Sequence, residues 1–179
     1  INFNHSKNHN GTAFEFFYQN GPLAILPMKK LKSNYVSSIV WTNDKNYCEN
    51  LLNIDNDKLG IILNNATQNS VGKIKKIITK QIFPLTAHLN TSFYEKRTIY
   101  IGDSAHSFHP IAGQGWNLGM KDLENFFNLV KKYKSLGIEL GDNFFCKEYH
   151  SENFYNAYRL YQLTDKIDNL FKINNPIFL

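Results

Sequence analysis

Residues 98–119 contain the pattern that most restricts how this chain can fold. The β-branched and aromatic run 98–101 predicts a short strand that is buried on both faces. Gly102 and Asp103 follow at its carboxyl end, which is where open α/β sheets bind ligands. The glycines within 113–119 keep side chains away from the start of the next predicted helix. Because a helix N-terminus has unpaired N–H groups and partial positive charge, this unit predicts a site for an anion or an electron-rich carbonyl group.

The same stretch resembles a known protein family in the order and spacing of its residues. The matching positions are Gly102, Asp103, Ser104, Ala105, His106, Pro110, Gly113, Gln114, Gly115, Trp116, Asn117, Leu118, Gly119 and Asp122. They resemble the second flavin-binding motif of FAD-dependent aromatic hydroxylases, and in particular that of the ubiquinone-biosynthesis hydroxylases. Ser104 stands where that family usually has Ala, and Trp116 stands where a smaller apolar residue is usual.

The resemblance implies an FAD site at this turn and helix. The residues expected to contact FAD are Gly102, Asp103, Pro110, Gly113, Gln114, Gly115, Trp116 and Asn117. Asp103 would accept hydrogen bonds from the ribityl hydroxyl groups, and Pro110 would lie beside the isoalloxazine ring. Backbone N–H groups of residues 113–117 would face the pyrimidine edge of the flavin, where reduction places negative charge. Since the flavin carries the difficult chemistry, no side chain is expected to be catalytic.

The activity that the resemblance implies is an FAD- and NAD(P)H-dependent monooxygenase. It would use dioxygen to hydroxylate a polyprenylated phenol in ubiquinone biosynthesis, with other proteins of that pathway as partners. Two alternatives remain open: a hydroxylase or oxidase of another aromatic substrate, and a non-catalytic fragment that acts as a binding or assembly module. His106 and His109 are spaced as metal ligands can be, but the one nearby carboxylate is Asp103. A structural hydrogen bond is favoured for His106, and no metal site is expected.

The pattern along the whole chain predicts an α/β fold with a mixed β-sheet, a flavin-binding strand–turn–helix and C-terminal helices. Residues 1–11 are polar and without periodicity, so they predict a loop. Strands are predicted at 12–18, 23–26, 35–42 and 71–85, and helices at 46–54, 56–66 and 143–174. A loop is predicted at 87–96. The run from Gly21 to Pro27, followed by Trp41, resembles the substrate-side sheet of the same hydroxylases.

A further helix is predicted after Gly115, because apolar residues recur there at intervals of three and four and so form a stripe along one face. The stripe consists of Trp116, Met120, Leu123, Phe127 and Val130. The chain is divided into a substrate-side sheet region (1–96), the flavin motif (97–135) and a C-terminal helical region (136–179), all in one structural unit. No G-x-G-x-x-G motif follows a strand near the N-terminus, whereas the family carries that adenine-end motif in its first half. We therefore expect a C-terminal fragment of a longer enzyme, inactive alone.

Composition limits the other function classes. The chain has 20 Lys and Arg against 15 Asp and Glu, for a net charge of +5. Lysine clusters lie at 29–32, 73–76 and 131–134, and they favour solvated faces or weak contact with an anionic membrane surface. No basic motif with interleaved aromatic residues supports nucleic-acid binding. The two cysteines are read as reduced thiols, and there is no long apolar run. The resemblance, with its bilayer-resident polyprenylated phenol, implies a cytoplasmic protein that is peripheral to the inner membrane (on the matrix side if mitochondrial).

Overall fold

The computed structural model describes residues 1–108 and 113–172 of the chain. The structure divides into two compact units, with residues 1–84 in the first and residues 85–169 in the second. Both units contain strands and helices, which confirms the predicted α/β class. The segment boundaries predicted at residues 96 and 135 both fall inside the second unit.

The first unit combines a five-stranded sheet with two helices. Its strands are β1 (Asn2–His5), β2 (Phe14–Tyr18), β3 (Gly21–Leu31), β4 (Asn34–Trp41) and β5 (Ile74–Thr79), and its helices are α1 (Lys45–Asn53) and α2 (Asn56–Ala66). The strand order is β2-β3-β4-β1-β5. All of these neighbouring pairs are antiparallel, whereas a mixed sheet was predicted. For β2, β3 and β4 the short turns explain this, because parallel neighbours need a crossover of a dozen or more residues.

The prediction of a loop over residues 1–11 was wrong, because β1 lies inside the sheet between β4 and β5. Its inward-facing residues, Phe3 and His5, are fully buried. His5 is a polar residue at a buried position, where its ring is hydrogen-bonded. Its Nδ1 lies 3.2 Å from the Val71 carbonyl oxygen and its Nε2 lies 3.0 Å from the Ser37 hydroxyl. A histidine with both ring nitrogens hydrogen-bonded can occupy a core position.

The strand predicted at 23–26 is longer than expected, because β3 continues through Pro27. Pro27 lies opposite Ser37 of β4, in register. The pairing of β3 with β2 ends at Ile25, so the proline lies where β3 has only one neighbouring strand. A proline without an N–H group is tolerated at such an edge.

One face of this sheet is covered and carries the core of the first unit. The buried side chains are Phe3, Leu23, Ile25, Ile39, Leu51, Leu59, Leu63, Val71, Ile74 and Ile77. They come from both the sheet and the helices, so the covered face of the sheet is the one on which the helices pack. Leu26 and Val40 remain exposed.

The second unit is built on two long helices and four very short strands. These are β6 (His88–Leu89), β7 (Tyr94–Glu95), β8 (Thr98–Ile99), β9 (His106–Ser107), α3 (Gln114–Ser135) and α4 (Asn143–Lys172). β6 pairs with β9, and β7 pairs with β8, both antiparallel. Two of these strands, β6 and β7, lie in the predicted loop 87–96. The core consists of Phe93, Ala105, Leu129, Tyr133, Phe145, Cys146, Tyr149 and Ala157.

Residues 98–101 were predicted to form a strand buried on both faces, and this prediction was wrong. Only Thr98 and Ile99 form a paired strand, Thr98 is exposed, and residues 99–101 are half-buried. Among residues 1–108 and 113–172, β8 has β7 as its one hydrogen-bonded neighbour. A strand with a single neighbour lacks the packing that would bury both of its faces.

The apolar stripe predicted on α3 is mostly exposed in this chain. Trp116 is 78% exposed and Phe127 is 57% exposed, and Met120 is exposed as well. The buried residues of α3 are instead Asp122, Leu129 and Tyr133. The buried face of α3 is therefore not the face that hydrophobic spacing alone predicts.

Candidate functional site

The turn after β8 presents an exposed carboxylate on a tightly hydrogen-bonded backbone. Residues Gly102–Ser104 form one 3-10 turn, and Gly102 has a φ of +58°, in the left-handed region that favours glycine. The Ser104 hydroxyl accepts from the Ile101 N–H at 2.9 Å and donates to the Ile101 carbonyl oxygen at 2.8 Å. The Asp103 side chain is exposed. The turn thus holds Asp103 in a defined place on the surface.

The start of α3 offers open backbone. Gly113 precedes the helix with a φ of +60° and, being a glycine, makes no side-chain capping hydrogen bond. A Cβ atom built on Gly113 or on Gly115 would have no described heavy atom within 4 Å. The first turn of α3 contains no acidic residue. These features leave the partial positive charge of the helix N-terminus accessible to an electron-rich group.

The turn and the helix are in contact. A Cβ atom on Gly119 would lie 3.6 Å from the Gly102 Cα atom, so the two backbones approach closely at these glycines. The Gly102 N–H group also donates a 3.0 Å hydrogen bond to Oδ2 of Asp122 on α3. Gly102 and Asp103 are in this way fixed to the helix that carries residues 113–117.

The structure places seven of the eight predicted FAD contacts on these two elements. Gly102 and Asp103 lie in the turn, Gly113 precedes α3, and Gln114 to Asn117 form its first turn. Residues 113–117 are all exposed. Pro110 lies outside the described residues, as does His109.

A buried polar pair lies beneath the turn. His106 Nε2 is 2.7 Å from Asp122 Oδ2, and both side chains are 1% exposed. The His106 ring stacks on Phe108 with centroids 5.2 Å apart, and it also contacts the Phe93 ring. The structural hydrogen bond predicted for His106 is confirmed. Sequence reasoning recorded Asp122 as a motif position but did not assign it a role.

An aromatic hydroxyl group supports the strand that leads into the turn. The Tyr149 side chain is fully buried in α4, and its hydroxyl donates a 3.0 Å hydrogen bond to the Tyr100 carbonyl oxygen. Burial, and secondarily the negative charge of Asp122, raises the pKa of Tyr149. This tyrosine therefore stays a hydrogen-bond donor at neutral pH.

Comparison with known proteins identifies the class to which this arrangement belongs. Residues 2–162 match the family described as FAD binding domain. The chain is a member of that family. This confirms the resemblance seen at residues 102–122.

Curated relatives of this FAD binding domain are named as ubiquinone-pathway enzymes. The ubiquinone hydroxylase UbiL of Rhodospirillum rubrum is 28% identical over 93% of this chain and 38% of its own length. The ubiquinone hydroxylase UbiM of Neisseria meningitidis is 24% identical over 93% of this chain and 35% of its own length. The mitochondrial ubiquinone biosynthesis monooxygenase COQ6 of Dictyostelium discoideum is 26% identical over 94% and 39%, respectively. The chain thus spans well under half the length of these relatives.

A solved structure shows the same fold. PqsL of Pseudomonas aeruginosa, crystallised with 2-aminobenzoylacetate, superposes with a TM-score of 0.69 at 16% identity. The similarity covers 96% of this chain and 47% of PqsL.

Proposed function

We propose that this chain supplies the flavin end of the FAD site in a monooxygenase that hydroxylates a polyprenylated phenol in ubiquinone biosynthesis. The observation that carries the proposal is the exposed Asp103 carboxylate, fixed by the left-handed Gly102 beside the open N-terminus of α3. The family match and the names of the relatives agree with it. The residues proposed to contact FAD are Gly102, Asp103, Pro110, Gly113, Gln114, Gly115, Trp116 and Asn117.

The described residues fit a flavin in shape and in charge. Gly113 and Gly115 have no Cβ atom, and no described heavy atom lies within 4 Å of the place where one would be. This leaves room for a planar ring to approach the backbone. N–H groups at the start of α3 favour the negative charge that a reduced pyrimidine ring carries. The Asp103 carboxylate accepts hydrogen bonds and so suits the hydroxyl groups of a ribityl chain.

Each residue of the chain then binds or orients, and none is proposed as catalytic. When bound, FAD supplies the redox chemistry, with NAD(P)H as the reductant and dioxygen as the source of the inserted oxygen. When FAD is bound, Asp103 would hold the ribityl chain and residues 113–117 would hold the pyrimidine edge, and Pro110, which lies outside the described residues, is proposed as a further contact of the ring.

The test uses the complete protein and two readouts. Asp103→Ala should weaken FAD binding by about ten- to a hundredfold, since it removes charge-assisted hydrogen bonds worth about 1.5–3 kcal/mol. Glu124→Ala, on the exposed face of α3, serves as the matched control. Equal FAD affinities in the two variants would remove Asp103 from the site.

Product analysis separates the proposed substrate from the alternatives. The complete protein, supplied with NAD(P)H, should hydroxylate a prenylated phenol in preference to a water-soluble one. Preference for the soluble phenol would favour another aromatic substrate. Absence of FAD binding and of NAD(P)H oxidation would favour a binding or assembly module.

A membrane-resident substrate calls for contact with a membrane surface, for which the hairpin between β3 and β4 is suited. Its tip carries exposed Lys29, Lys30 and Lys32 around Leu31, which is 57% exposed. Each lysine contributes about 1 kcal/mol near an anionic bilayer, and salt weakens the attraction. None of the helices within the described residues has the length and apolarity to cross a bilayer.

We propose peripheral, salt-sensitive association with the cytoplasmic or matrix face of the inner membrane, aided by other proteins of the pathway. Co-sedimentation with vesicles containing anionic lipid should decrease when Lys29, Lys30 and Lys32 are all replaced by Gln. Replacing the lysines at 73, 75 and 76 in the same way is the control. An equal decrease for both sets would mean that the hairpin has no special part.

A further inference from the structure

One carboxylate oxygen joins three parts of the second unit. Oδ2 of Asp122 accepts the Gly102 N–H at 3.0 Å and lies 2.7 Å from His106 Nε2. Because a carboxylate oxygen can only accept, the His106 ring nitrogen is assigned as the second donor. Asp122 on α3 thus accepts a hydrogen bond from Gly102, which directly precedes Asp103 in the chain.

The surroundings of Asp122 make this connection rigid. The side chain is 1% exposed, so water does not compete for Oδ2, and its Oδ1 atom has no hydrogen-bond partner among the described residues. A buried carboxylate depends strongly on the few donors that it has. His106 is in turn held between the Phe93 and Phe108 rings. Movement of the Gly102 amide would therefore break a bond and leave Asp122 Oδ2 with His106 as its partner among the described residues.

We infer that Asp122 is a positioning residue for flavin binding: it holds the Gly102 amide and thereby orients Asp103 toward the ribityl chain. Asp122 is buried and acts through Asp103, without touching the cofactor. This inference rests on the proposed function, because it needs Asp103 to contact FAD. It predicts that Asp122 and Asp103 are coupled in FAD affinity although no hydrogen bond joins their side chains.

The first measurement needs no FAD. Hydrogen exchange of the peptide containing residues 101–104 is compared in the complete apoprotein, in Asp122→Leu and in Asp122→Asn. Leu has the same branching and number of side-chain heavy atoms, although it is larger, and it cannot accept the Gly102 N–H, so exchange at Gly102 should rise at least about tenfold. Asn keeps an acceptor but loses the charge that strengthens the bond, so exchange at Gly102 should rise by only about threefold. Equal exchange in all three proteins would overturn the inference.

The second measurement is a double-mutant cycle on FAD affinity. Asp122→Leu alone should weaken FAD binding about tenfold, the effect of losing one charge-assisted hydrogen bond that orients the site. In the Asp103→Ala background the same change should cost no more than about twofold, because there is no carboxylate left to orient. Full additivity would refute positioning through Asp103. A merely structural role would weaken binding equally in both backgrounds.

Two features of the design keep the outcomes separate. If Asp122→Leu does not fold, Asp122→Asn carries the cycle, with an expected loss of about threefold alone and none in the Asp103→Ala background. An additive loss in that variant counts against the inference. If Asp103→Ala by itself leaves FAD affinity unchanged, the proposed flavin contact fails, and positioning through Asp103 fails with it. If Asp103→Ala weakens binding but the cycle is additive, only the inference about Asp122 fails.

Discussion

The substitution Gly115→Ala should have opposite effects on the apoprotein and on the FAD complex. Gly115 lies in the first turn of α3, and an added Cβ atom would meet no described heavy atom within 4 Å. Alanine in a helix is favoured over glycine because it loses less backbone entropy on folding. The free energy of unfolding of the apoprotein should therefore rise by about 0.5–1 kcal/mol.

FAD binding should respond in the other direction. If the flavin approaches the open backbone at residue 115, the new methyl group occupies space that the ring needs. Forcing one extra methyl group into a packed contact costs about 1–3 kcal/mol, which is about a five- to hundredfold weaker affinity. Gly60→Ala in α2 is the matched control, because a Cβ atom there also meets nothing within 4 Å. It should raise stability by a similar amount and leave FAD affinity unchanged.

The assay is urea unfolding of both apoproteins, followed by FAD titration at one temperature and salt concentration. Unchanged FAD affinity in Gly115→Ala would show that the flavin does not approach this glycine, and the assignment of residues 113–117 would fall. Lower stability of the apoprotein would show instead that the residue is not in an ordinary helical turn.

Three other results are expected. FAD should quench tryptophan fluorescence at the exposed Trp116, so Trp116→Phe should remove most of the quenching. Trp41→Phe should remove little of it, and the reverse result would contradict the proposed site. Tyr149→Phe, which loses the 3.0 Å bond to the Tyr100 carbonyl, should lower the free energy of unfolding by about 1–2 kcal/mol in urea, and no change would count against that bond. Burial lowers the pKa of His5, so as the pH falls the unfolded chain takes up a proton before the folded chain does, and the free energy of unfolding should fall below about pH 6.5. The difference between the free energies of unfolding at pH 7.5 and pH 5.5 should be smaller in His5→Gln. An equal pH dependence in both proteins would refute this.

Local sequence patterns determined several elements by themselves. The predicted helix 56–66 matches α2 at both ends, and the predicted strand 35–42 is β4 shifted by one residue. Both segments have short-range periodicity, which depends on near neighbours in the chain. The Gly102–Asp103 turn and the family were likewise predicted, because an ordered set of glycines and polar residues has few structural explanations.

Long-range contacts decided what the sequence left open. β1 is a strand because His5 finds hydrogen-bond partners at Ser37 and Val71, far from it in sequence. The orientation of α3 is set at Gly119 and Asp122, where the helix meets the turn, and this leaves its apolar stripe mostly exposed. Hydrophobic spacing identifies which residues share a helix face, but only the packing partner determines which face is buried.

The role of Asp122 illustrates the same limit. In the sequence it was a position of the family motif without an assigned role, twenty positions after Gly102, with no sign of burial. The fold brings its Oδ2 atom within hydrogen-bond distance of both the Gly102 amide and the His106 ring. Sequence order thus determined which chemical groups are available for a flavin site. Tertiary packing determined which buried groups hold them in place, because a hydrogen bond depends on positions in space that no local pattern specifies.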